Sequence, residues 1–278
     1  MLNLSTIILT KNEEKNIAKA ILSIKKISSR IIVVDSFSND KTTEIAKSLG
    51  AEIYLNEFIN YGVQFQWALD NCNIDTKWVF RFDADEELSK SGEKEIEFLL
   101  KKHDSTNVNG LIFNLEITFL GKKLKYGGAY PFRKLCIFKF GKAFMEKRFM
   151  DEQIILTDGK SIKMKSISYH NDYKDLTSWI DKHNKYSTRA VFDYFENVNK
   201  KQIISKLDNS SNLRRFFKYF IYYKLPKILR SRIYFIYRYY FQFGFLDGYE
   251  GYIYAFLQAY WYRVLIDAKI YELKKQKL

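Results

Sequence analysis

The feature that most constrains the fold is the alternation of apolar runs with amphipathic segments over the first hundred residues. Leu4–Leu9 and Ile31–Val34 are continuous and apolar, which predicts buried strands. Glu13–Lys25, between them, carries apolar residues at helical spacing. Such alternation predicts an α/β fold with a mostly parallel sheet covered by helices on both faces. The region also contains predicted helices at 40–49 and 61–71 and predicted strands at 51–55 and 77–82.

The pattern changes after about residue 105. Strands are predicted at 110–120 and 134–140, and a helix at 172–197. From Leu213 onward the chain is helical by pattern and rich in aromatic residues. We therefore expect an α/β domain over residues 1–197, in halves of about 1–105 and 106–197, and a helical extension over residues 198–278.

The charge balance points to an anionic partner. The chain has 46 Lys and Arg against 32 Asp and Glu, a net charge of +14. Nucleic acid, anionic lipid and a phosphorylated substrate all fit such a balance. Between Glu196 and Leu278 there are 16 basic and 6 acidic residues, so the excess lies mostly in the predicted extension.

The cysteines and the hydropathy of the sequence indicate its cellular context. Cys72 and Cys136 have no second Cys or His at metal-ligand spacing, so we expect two reduced thiols in the core. We expect no secretory signal, because charged residues interrupt the N-terminal segment early. We also expect no conventional transmembrane helix, since an uncharged apolar run of ~18–20 residues is lacking.

Acidic residues follow the fourth predicted strand. Asp83 and Asp85 stand one residue apart, where a buried strand reaches the ligand-binding edge of the sheet. Clustered carboxylates repel unless a cation or a proton intervenes. Mg²⁺ or Mn²⁺ is commonly held by one or two carboxylates together with substrate phosphates. Taken alone, the pair is also compatible with a solvated turn that caps the next helix.

Two further strand ends support a ligand site at this edge. Asp35 closes the second predicted strand, and Thr10, Asn12 and Glu13 follow the first. Each group alone could serve as a helix cap or a turn. Polar groups at three strand ends, together with an Asp-Ala-Asp, predict a nucleotide site.

These segments resemble a known family. The sequences Thr6–Glu14, Val33–Thr42 and Phe82–Glu86 resemble family 2 inverting glycosyltransferases, which have the GT-A fold, a Rossmann-like sheet. Further segments resemble the branch of this family that comprises the glucosyltransferases of the bacterial lipopolysaccharide core. Those segments are Gly127–Phe138, Asp151-Glu152, Ser168–His170 and Gly244–Gly251.

The resemblance implies a role for each matching residue. It implies that Thr10, Asn12 and Glu13 line a nucleoside pocket and that Asp35 contacts the base. It implies that Asp83 faces the ribose or the metal and that Asp85 binds the metal beneath the diphosphate. His170 is then a further ligand of the metal or the diphosphate. The first half of the domain would bind the nucleotide and the second half the acceptor.

The catalytic base is expected at Asp151-Glu152, with Glu152 preferred. The branch often has His-Glu there, so the resemblance leaves Asp151 open as the base. An inverting displacement needs one base to accept the proton of the acceptor hydroxyl and a cation to neutralise the leaving diphosphate. Arg133 and Lys134 either bind a phosphate of the donor or acceptor, or are solvated. The resemblance does not identify the sugar, although we expect a UDP-sugar as donor.

The extension combines aromatic rings with cations. Between Asn209 and Leu246 there are eight Lys and Arg and no acid. They are Arg214, Arg215, Lys218, Lys224, Lys227, Arg230, Arg232 and Arg238. We expect amphipathic helices on an anionic membrane surface rather than on nucleic acid, because the alternating strands of an RNA-binding sheet are lacking. Helical packing or oligomerisation is the other interpretation.

The sequence thus favours a metal-dependent transferase on the cytoplasmic face of a membrane, acting on a glycan or lipid-linked acceptor. A nucleotidyltransferase of sugar phosphates also places acids at such an edge, but it usually has a Gly-rich basic loop after the first strand. A basic peripheral membrane scaffold without activity would not need the Asp83 and Asp85 pair. The oligomeric state is left open.

Overall fold

This computed structural model describes residues 1–197 and 216–276 and divides the chain into two compact units. The first unit comprises 1–118, 131–147 and 152–174, and the second comprises 119–130, 148–151 and 175–278. The start of the predicted extension, with Leu213, Arg214 and Arg215, lies outside the described residues.

Strands and helices alternate along the first unit as the sequence predicts. Its strands are β1 (Leu2–Thr10), β2 (Ser28–Asp35), β3 (Glu52–Leu55), β4 (Trp78–Asp83), β5 (Glu86–Glu87) and β6 (Val108–Phe119, whose last residue belongs to the second unit). After β7 (Lys122–Leu124) of the second unit follow β8 (Phe132–Lys139), β9 (Ala143–Met145), β10 (Ile154–Leu156) and β11 (Lys160–Asn171). The helices are α1 (Ile17–Ile24), α2 (Thr42–Ser48), α3 (Tyr61–Asn71) and α4 (Lys90–Lys102).

The main sheet has the order β3-β2-β1-β4-β8-β6-β11-β5. Strands β1 to β4 pair with one another in parallel, which confirms the prediction for the nucleotide half. Beyond β4 the sheet is mixed, because β8 is antiparallel to both β4 and β6, while β11 is parallel to β6. The α/β class expected from the sequence is therefore confirmed, with antiparallel pairs in its second half.

Apolar side chains pack on both faces of this sheet. Leu4 and Ile8 of β1 join the cluster that contains the buried face of α1 and α4. Ile7 and Leu9 point the other way and join the cluster that contains Phe65 of α3. Because successive strand residues face opposite sides, a continuous apolar run fills two cores at once. Full burial of one such apolar side chain stabilises the fold by roughly 1.5–3 kcal/mol.

The two cysteines are separate and buried. Cys72 and Cys136 are free thiols without exposed surface, which confirms the expectation of reduced core cysteines. Burial raises the pKa of Cys72 to about 11 and also raises that of Cys136. Both side chains are therefore protonated and unreactive at neutral pH.

The second unit is helical where it is described, apart from β7 and its connecting turns. It contains α5 (Leu176–Asn197), α6 (Leu229–Ile236), α7 (Gly248–Ala255) and α8 (Tyr262–Gln276). Phe217–Ile221, Tyr237–Phe241 and Phe256–Trp261 are π-helical, whereas Tyr222–Lys224 and Gly244–Asp247 form 3₁₀ turns. Within the described residues, no helix combines the length and the apolar character that a membrane crossing requires.

Several cations that the sequence assigned to a membrane surface are instead used inside this unit. Arg230 is buried and paired with Asp267. Arg238 is buried and donates to the carbonyl of Gly127. Lys218 is mostly buried and lies 2.8 Å from Asp151. These three cations are therefore unavailable to lipid, and the prediction of a membrane surface rests on the remaining cations of the eight.

Candidate functional site

The strand ends that the sequence singled out lie side by side. In the register of the parallel strands, Thr10 of β1 pairs with Asp35 of β2, and Leu9 pairs with Asp83 of β4. The carboxyl ends of β1, β2 and β4 therefore meet at one edge of the sheet. This is the edge at which open α/β sheets bind their ligands.

Asp35 is fully buried and fastens two loops together. Its carboxylate accepts hydrogen bonds from the Thr10 hydroxyl at 2.7 Å and from the Ser38 amide at 2.7 Å. The Ser38 hydroxyl donates to the same carboxylate at 2.5 Å. A carboxylate accepts about four such bonds, so Asp35 has little capacity left for a ligand in this arrangement.

Asn12 and Glu13 extend the contacts between these loops. The Asn12 amide donates to the Ser38 hydroxyl, and its side-chain oxygen accepts from the Asn39 amide at 2.9 Å. Asn12 has a φ of 55°, a left-handed conformation that Asn tolerates better than most residues. The Glu13 carboxylate accepts from Lys174 at 2.6 Å. The predicted nucleoside residues thus form one hydrogen-bonded edge.

Asp83 lies among cations and a phenol. Lys134 lies 2.6 Å away, Arg81 lies 3.8 Å away, and the Tyr61 hydroxyl donates to the carboxylate. Burial alone would raise the pKa of Asp83, but the charges of Lys134 and Arg81 hold it well below its usual range. Asp83 is therefore firmly ionised.

Glu86 completes this network and was not predicted as a site residue. Its buried carboxylate is paired with Lys134. Burial raises the pKa of Glu86 to about 7, although the Lys134 charge opposes the shift. The sequence offered no signal for Tyr61 or Arg81, since their approach to Asp83 depends on packing between α3 and β4. Glu86 follows the acidic pair directly, but its burial in β5 depends on pairing with the distant strand β11.

Asp85 lies beside His170. The carboxylate oxygen Oδ1 of Asp85 and Nδ1 of His170 are 3.2 Å apart, because His170 of β11 pairs with Glu86 of β5. Burial raises the pKa of Glu13, and the charge of Asp85 adds to that shift, so the two carboxylates are close enough to interact. The edge thus concentrates acidic oxygens and an imidazole.

The donor set at Asp85 and His170 fits a divalent cation. Two ligands at about 2.1 Å from an ion and at right angles to each other lie about 3.0 Å apart, close to the observed separation. In the part of the chain that the structure describes, no cluster of three or more His, Cys, Asp and Glu side chains suits a metal. An ion held there would have to take its remaining ligands from substrate phosphates and water.

Glu152 lies over the first turn of α3. A Cβ atom added to Gly62 would lie 3.2 Å from Cγ of Glu152 and 3.0 Å from the Glu146 carbonyl oxygen. Tyr61, the neighbour of Gly62, donates to Asp83. Glu152 therefore lies beside Gly62, while the neighbouring Tyr61 reaches Asp83, and the role of Glu152 as base remains a prediction.

The remaining predicted residues have other surroundings. Asp151, in the second unit, has a φ of 59°. The nearby Lys218 holds the pKa of Asp151 well below its usual range. Arg133 is exposed and donates to Asn114 at 3.1 Å. Of the two predicted phosphate ligands, Lys134 is therefore engaged by Asp83 and Glu86, while Arg133 faces solvent.

Comparison with known proteins identifies the family of the chain. Residues 5–164, more than half of the chain, match the family described as glycosyl transferase family 2. The chain belongs to this family. A family 2 relative, an uncharacterised glycosyltransferase from Rickettsia typhi, is 34% identical over 203 residues, which is 69% of this chain and 68% of the relative.

Two other similar proteins have a more specific name or a structure with bound ligands. LpsC of Rhizobium meliloti, a lipopolysaccharide core biosynthesis glycosyltransferase, is 33% identical over 37% of this family 2 chain and 39% of that protein. The solved structure of glucosyl-3-phosphoglycerate synthase from Mycobacterium tuberculosis, in complex with Mn²⁺, UDP and glucosyl-3-phosphoglycerate, is 19% identical. It covers 41% of this chain and 44% of that chain with a TM-score of 0.34.

Proposed function

We propose that this family 2 chain transfers a sugar, with inversion, from a nucleoside diphosphate sugar, with UDP as the preferred nucleotide. The observation that carries the proposal is the Asp85 and His170 pair, 3.2 Å apart at the edge where β1, β2 and β4 end. An anionic leaving group at that edge would need a cation, and this pair can hold one. The acceptor is a hydroxyl of a glycan or a lipid-linked glycan.

A divalent ion, Mg²⁺ or Mn²⁺, held by Asp85 and His170 would neutralise the leaving diphosphate as a Lewis acid. Asp83 stays ionised through Lys134 and Arg81 and would accept a hydrogen bond from a ribose hydroxyl. Thr10, Asn12, Glu13 and Asp35 hold the two loops that bind the nucleoside. Arg133 is free to contact a phosphate or an anionic acceptor.

Glu152 is the proposed base. It accepts the proton of the acceptor hydroxyl, and an inverting transfer needs no second carboxylate as nucleophile. Asp151 is a poorer candidate, because its ion pair with Lys218 stabilises the ionised form and weakens it as a proton acceptor. The lowered pKa of Asp151 therefore supports the choice of its neighbour.

Relatives support a glycan or apolar acceptor. One relative is named for lipopolysaccharide core biosynthesis. A second, from Staphylococcus haemolyticus, is named 4,4'-diaponeurosporenoate glycosyltransferase and is 31% identical over 40% of this chain and 31% of that protein. We propose that this chain acts in lipopolysaccharide or other cell-surface glycan synthesis.

We also propose that the protein works on the cytoplasmic face of a membrane. The support is the basic second unit, in which Lys224, Lys227 and Arg232 are exposed. Each cation near an anionic surface is worth about 1 kcal/mol. These three therefore supply only part of the attraction that the sequence suggested.

Binding of nucleotides tests the proposal. We expect UDP to raise the melting temperature in the presence of Mn²⁺ and to raise it less without the ion. Asp85→Asn should lose the metal-dependent part of the shift, because the diphosphate then lacks its counter-charge. Asp75→Asn, an exposed acid paired with Arg30, is the matched control and should keep the shift.

Two results would contradict this assignment. Equal metal-dependent stabilisation of the wild type and Asp85→Asn would remove the proposed metal site. Release of pyrophosphate from UTP and a sugar phosphate, without sugar transfer from any UDP-sugar, would favour the nucleotidyltransferase.

A further inference from the structure

The second unit carries a set of large apolar side chains that face solvent. Each is between 39% and 73% exposed, although most residues of these types are largely buried in soluble proteins. They are Tyr240, Phe241, Phe243, Phe245, Leu246, Tyr249, Tyr252 and Phe256. We call this set the aromatic surface.

Several rings of the aromatic surface lie close together. The ring of Phe245 lies 6.2 Å from that of Phe243 and 6.2 Å from that of Tyr239. Tyr239 in turn lies 5.6 Å from Tyr252, whose ring is 6.3 Å from Phe256. Contiguous exposed apolar patches on this scale mark binding surfaces for proteins or membranes.

The backbone presents this surface at a local cost. Phe243, between the π-helical segment Tyr237–Phe241 and the 3₁₀ turn Gly244–Asp247, has a φ of 59°. A bulky aromatic residue in the left-handed region is uncommon and strained, and such strain is typical of functional segments. Here the strained residue holds an exposed ring at the tip of the turn.

The charges around the aromatic surface are unevenly distributed. Between residues 216 and 256 the only acids are Asp247 and Glu250. Asp247 is buried and accepts from the backbone amides of Lys125 and Tyr126. Glu250 lies 3.5 Å from Lys122. Within residues 216–256 the exposed ions are therefore cations, namely Lys224, Lys227 and Arg232.

We propose that the aromatic surface inserts into the interface of a lipid bilayer, and that burial of its apolar side chains is the main binding force. Phe and Leu side chains would enter the acyl boundary, and Tyr hydroxyls would remain at headgroup depth. Lys227 and Arg232 would meet lipid phosphates. Arg230 and Arg238 take no part, because each is buried against a partner of its own.

Charge favours lipid over a second copy of the chain as the occupant. A symmetric contact between two aromatic surfaces would bring two copies of this basic segment together, and the two acids within residues 216–256, Asp247 and Glu250, are already buried or ion-paired. Lipid phosphate has the opposite charge. The inference deepens the proposed membrane location, and it is independent of the proposed transfer reaction, since binding to lipid needs no substrate.

Vesicle co-sedimentation of the whole protein, without nucleotide or acceptor, tests the inference. We expect the wild type to bind vesicles of zwitterionic phosphatidylcholine, and added salt to reduce this binding only slightly. Added phosphatidylglycerol should strengthen binding by up to about a hundredfold, as three exposed cations allow.

The decisive variant is Phe241→Ser with Leu246→Ser. These side chains are 72% and 54% exposed, so their replacement should leave the melting temperature unchanged. Partitioning onto phosphatidylcholine should fall about tenfold or more. The matched control is Phe98→Ser with Leu22→Ser, one Phe and one Leu of the first unit that are 60% and 58% exposed. It should bind like the wild type.

Either of two outcomes would overturn the inference. Binding that occurs only with phosphatidylglycerol and disappears in salt would show that cations alone attach the protein. The other is a wild-type dimer by light scattering without lipid that becomes a monomer in the Phe241 and Leu246 variant, while vesicle binding is unchanged. That result would make the aromatic surface an interface between copies.

Discussion

At the scale of single residues, Lys134 organises the candidate site. Its ammonium group lies between Asp83 and Glu86, and the two carboxylates hold its pKa above the usual range despite burial. Desolvated ion groups of this kind are stable only when every member is paired. The sequence predicted Lys134 as a phosphate ligand, and that role remains a proposal. Its charge already balances the carboxylates in the present arrangement.

The raised pKa of Glu86 leads to a prediction about pH. The folded protein holds the Glu86 proton with a pKa of about 7, compared with an ordinary value of 4.5. This proton therefore contributes to stability below pH 4.5, and the contribution is lost as the pH rises through about 7. Its size is on the order of 3 kcal/mol.

Glu86→Gln removes the titration. We expect the free energy of unfolding of the wild type, relative to this variant, to fall between pH 4.5 and about 7. Asp83 adds little in this window, because its pKa is lowered and it is ionised in both states. Urea unfolding at a series of pH values measures the difference. Parallel pH profiles of the two proteins would mean that Glu86 is ionised throughout.

At the scale of elements, the first turn of α3 serves two parts of the proposed site, because Tyr61 donates to Asp83 and Gly62 lies beside Glu152. Asn60 caps this helix by accepting from the Val63 amide at 2.8 Å, which fixes where Tyr61 and Gly62 lie. Gly62 is the residue that leaves room for Glu152. A helix that the sequence predicts correctly over 61–71 thus has a positioning role that its pattern does not reveal.

Gly62→Ala should test this role. The new Cβ would push Glu152 by a few tenths of an ångström, and we expect kcat to fall roughly tenfold while donor binding is kept. The added Cβ would also lie 3.0 Å from the carbonyl oxygen of Glu146, so we expect the melting temperature to stay unchanged or fall slightly, since the helix preference of Ala offsets only part of this close contact. Steady-state kinetics and thermal unfolding measure the two effects.

A double-variant cycle separates positioning from general damage. Glu152→Gln alone should lower kcat by about 10²–10⁴-fold, as loss of a general base does. Gly62→Ala should then cost little more in the Glu152→Gln background, because both changes act on one group. If the two losses of kcat were fully additive, Gly62→Ala would act on a group other than Glu152. A large loss of kcat in Asp151→Asn, with the kcat of Glu152→Gln unchanged, would show that Asp151 is the base instead of Glu152.

The elements also show what the sequence can predict. Continuous apolar runs identified β1, β2 and β4, because a strand covered on both faces leaves no place for polar residues. The contacts of Lys134 and His170 could not be predicted, since they depend on the pairing of β8 with β4 and of β11 with β5. Such pairings join residues far apart in the chain, and local pattern carries no information about them.

At the scale of the whole molecule, the two units alternate along the chain. The second unit takes residues 119–130 and 148–151 as well as residues 175–278. The sequence suggested a boundary at 197 and 198, because composition changes there, and composition does not record which segments pack together. The net charge has the same limitation as composition, because it does not record where a charge lies. Arg230 and Arg238 contribute to the net charge of +14, although both are buried and cannot attract a partner at the surface.

Helix α5 shows why the boundary matters. Ala190 and Val191 of α5 pack against Tyr262, Ile266 and Ile270 of α8. A fragment that ends at residue 197 would lose this cover and expose the apolar face. We expect fragment 1–197 to be mostly insoluble or to melt well below the whole chain. The soluble fraction and thermal unfolding test this. Equal melting of the fragment and the whole chain would show that α5 does not need α8.

The buried thiols have a practical consequence. Maleimides and similar reagents attack the thiolate, and burial keeps Cys72 and Cys136 both protonated and inaccessible. A cysteine introduced at an exposed position such as Tyr249 would then be the preferred target, with the native residues left in place. A fluorescent reporter could thus be attached at a chosen point of an otherwise unaltered chain.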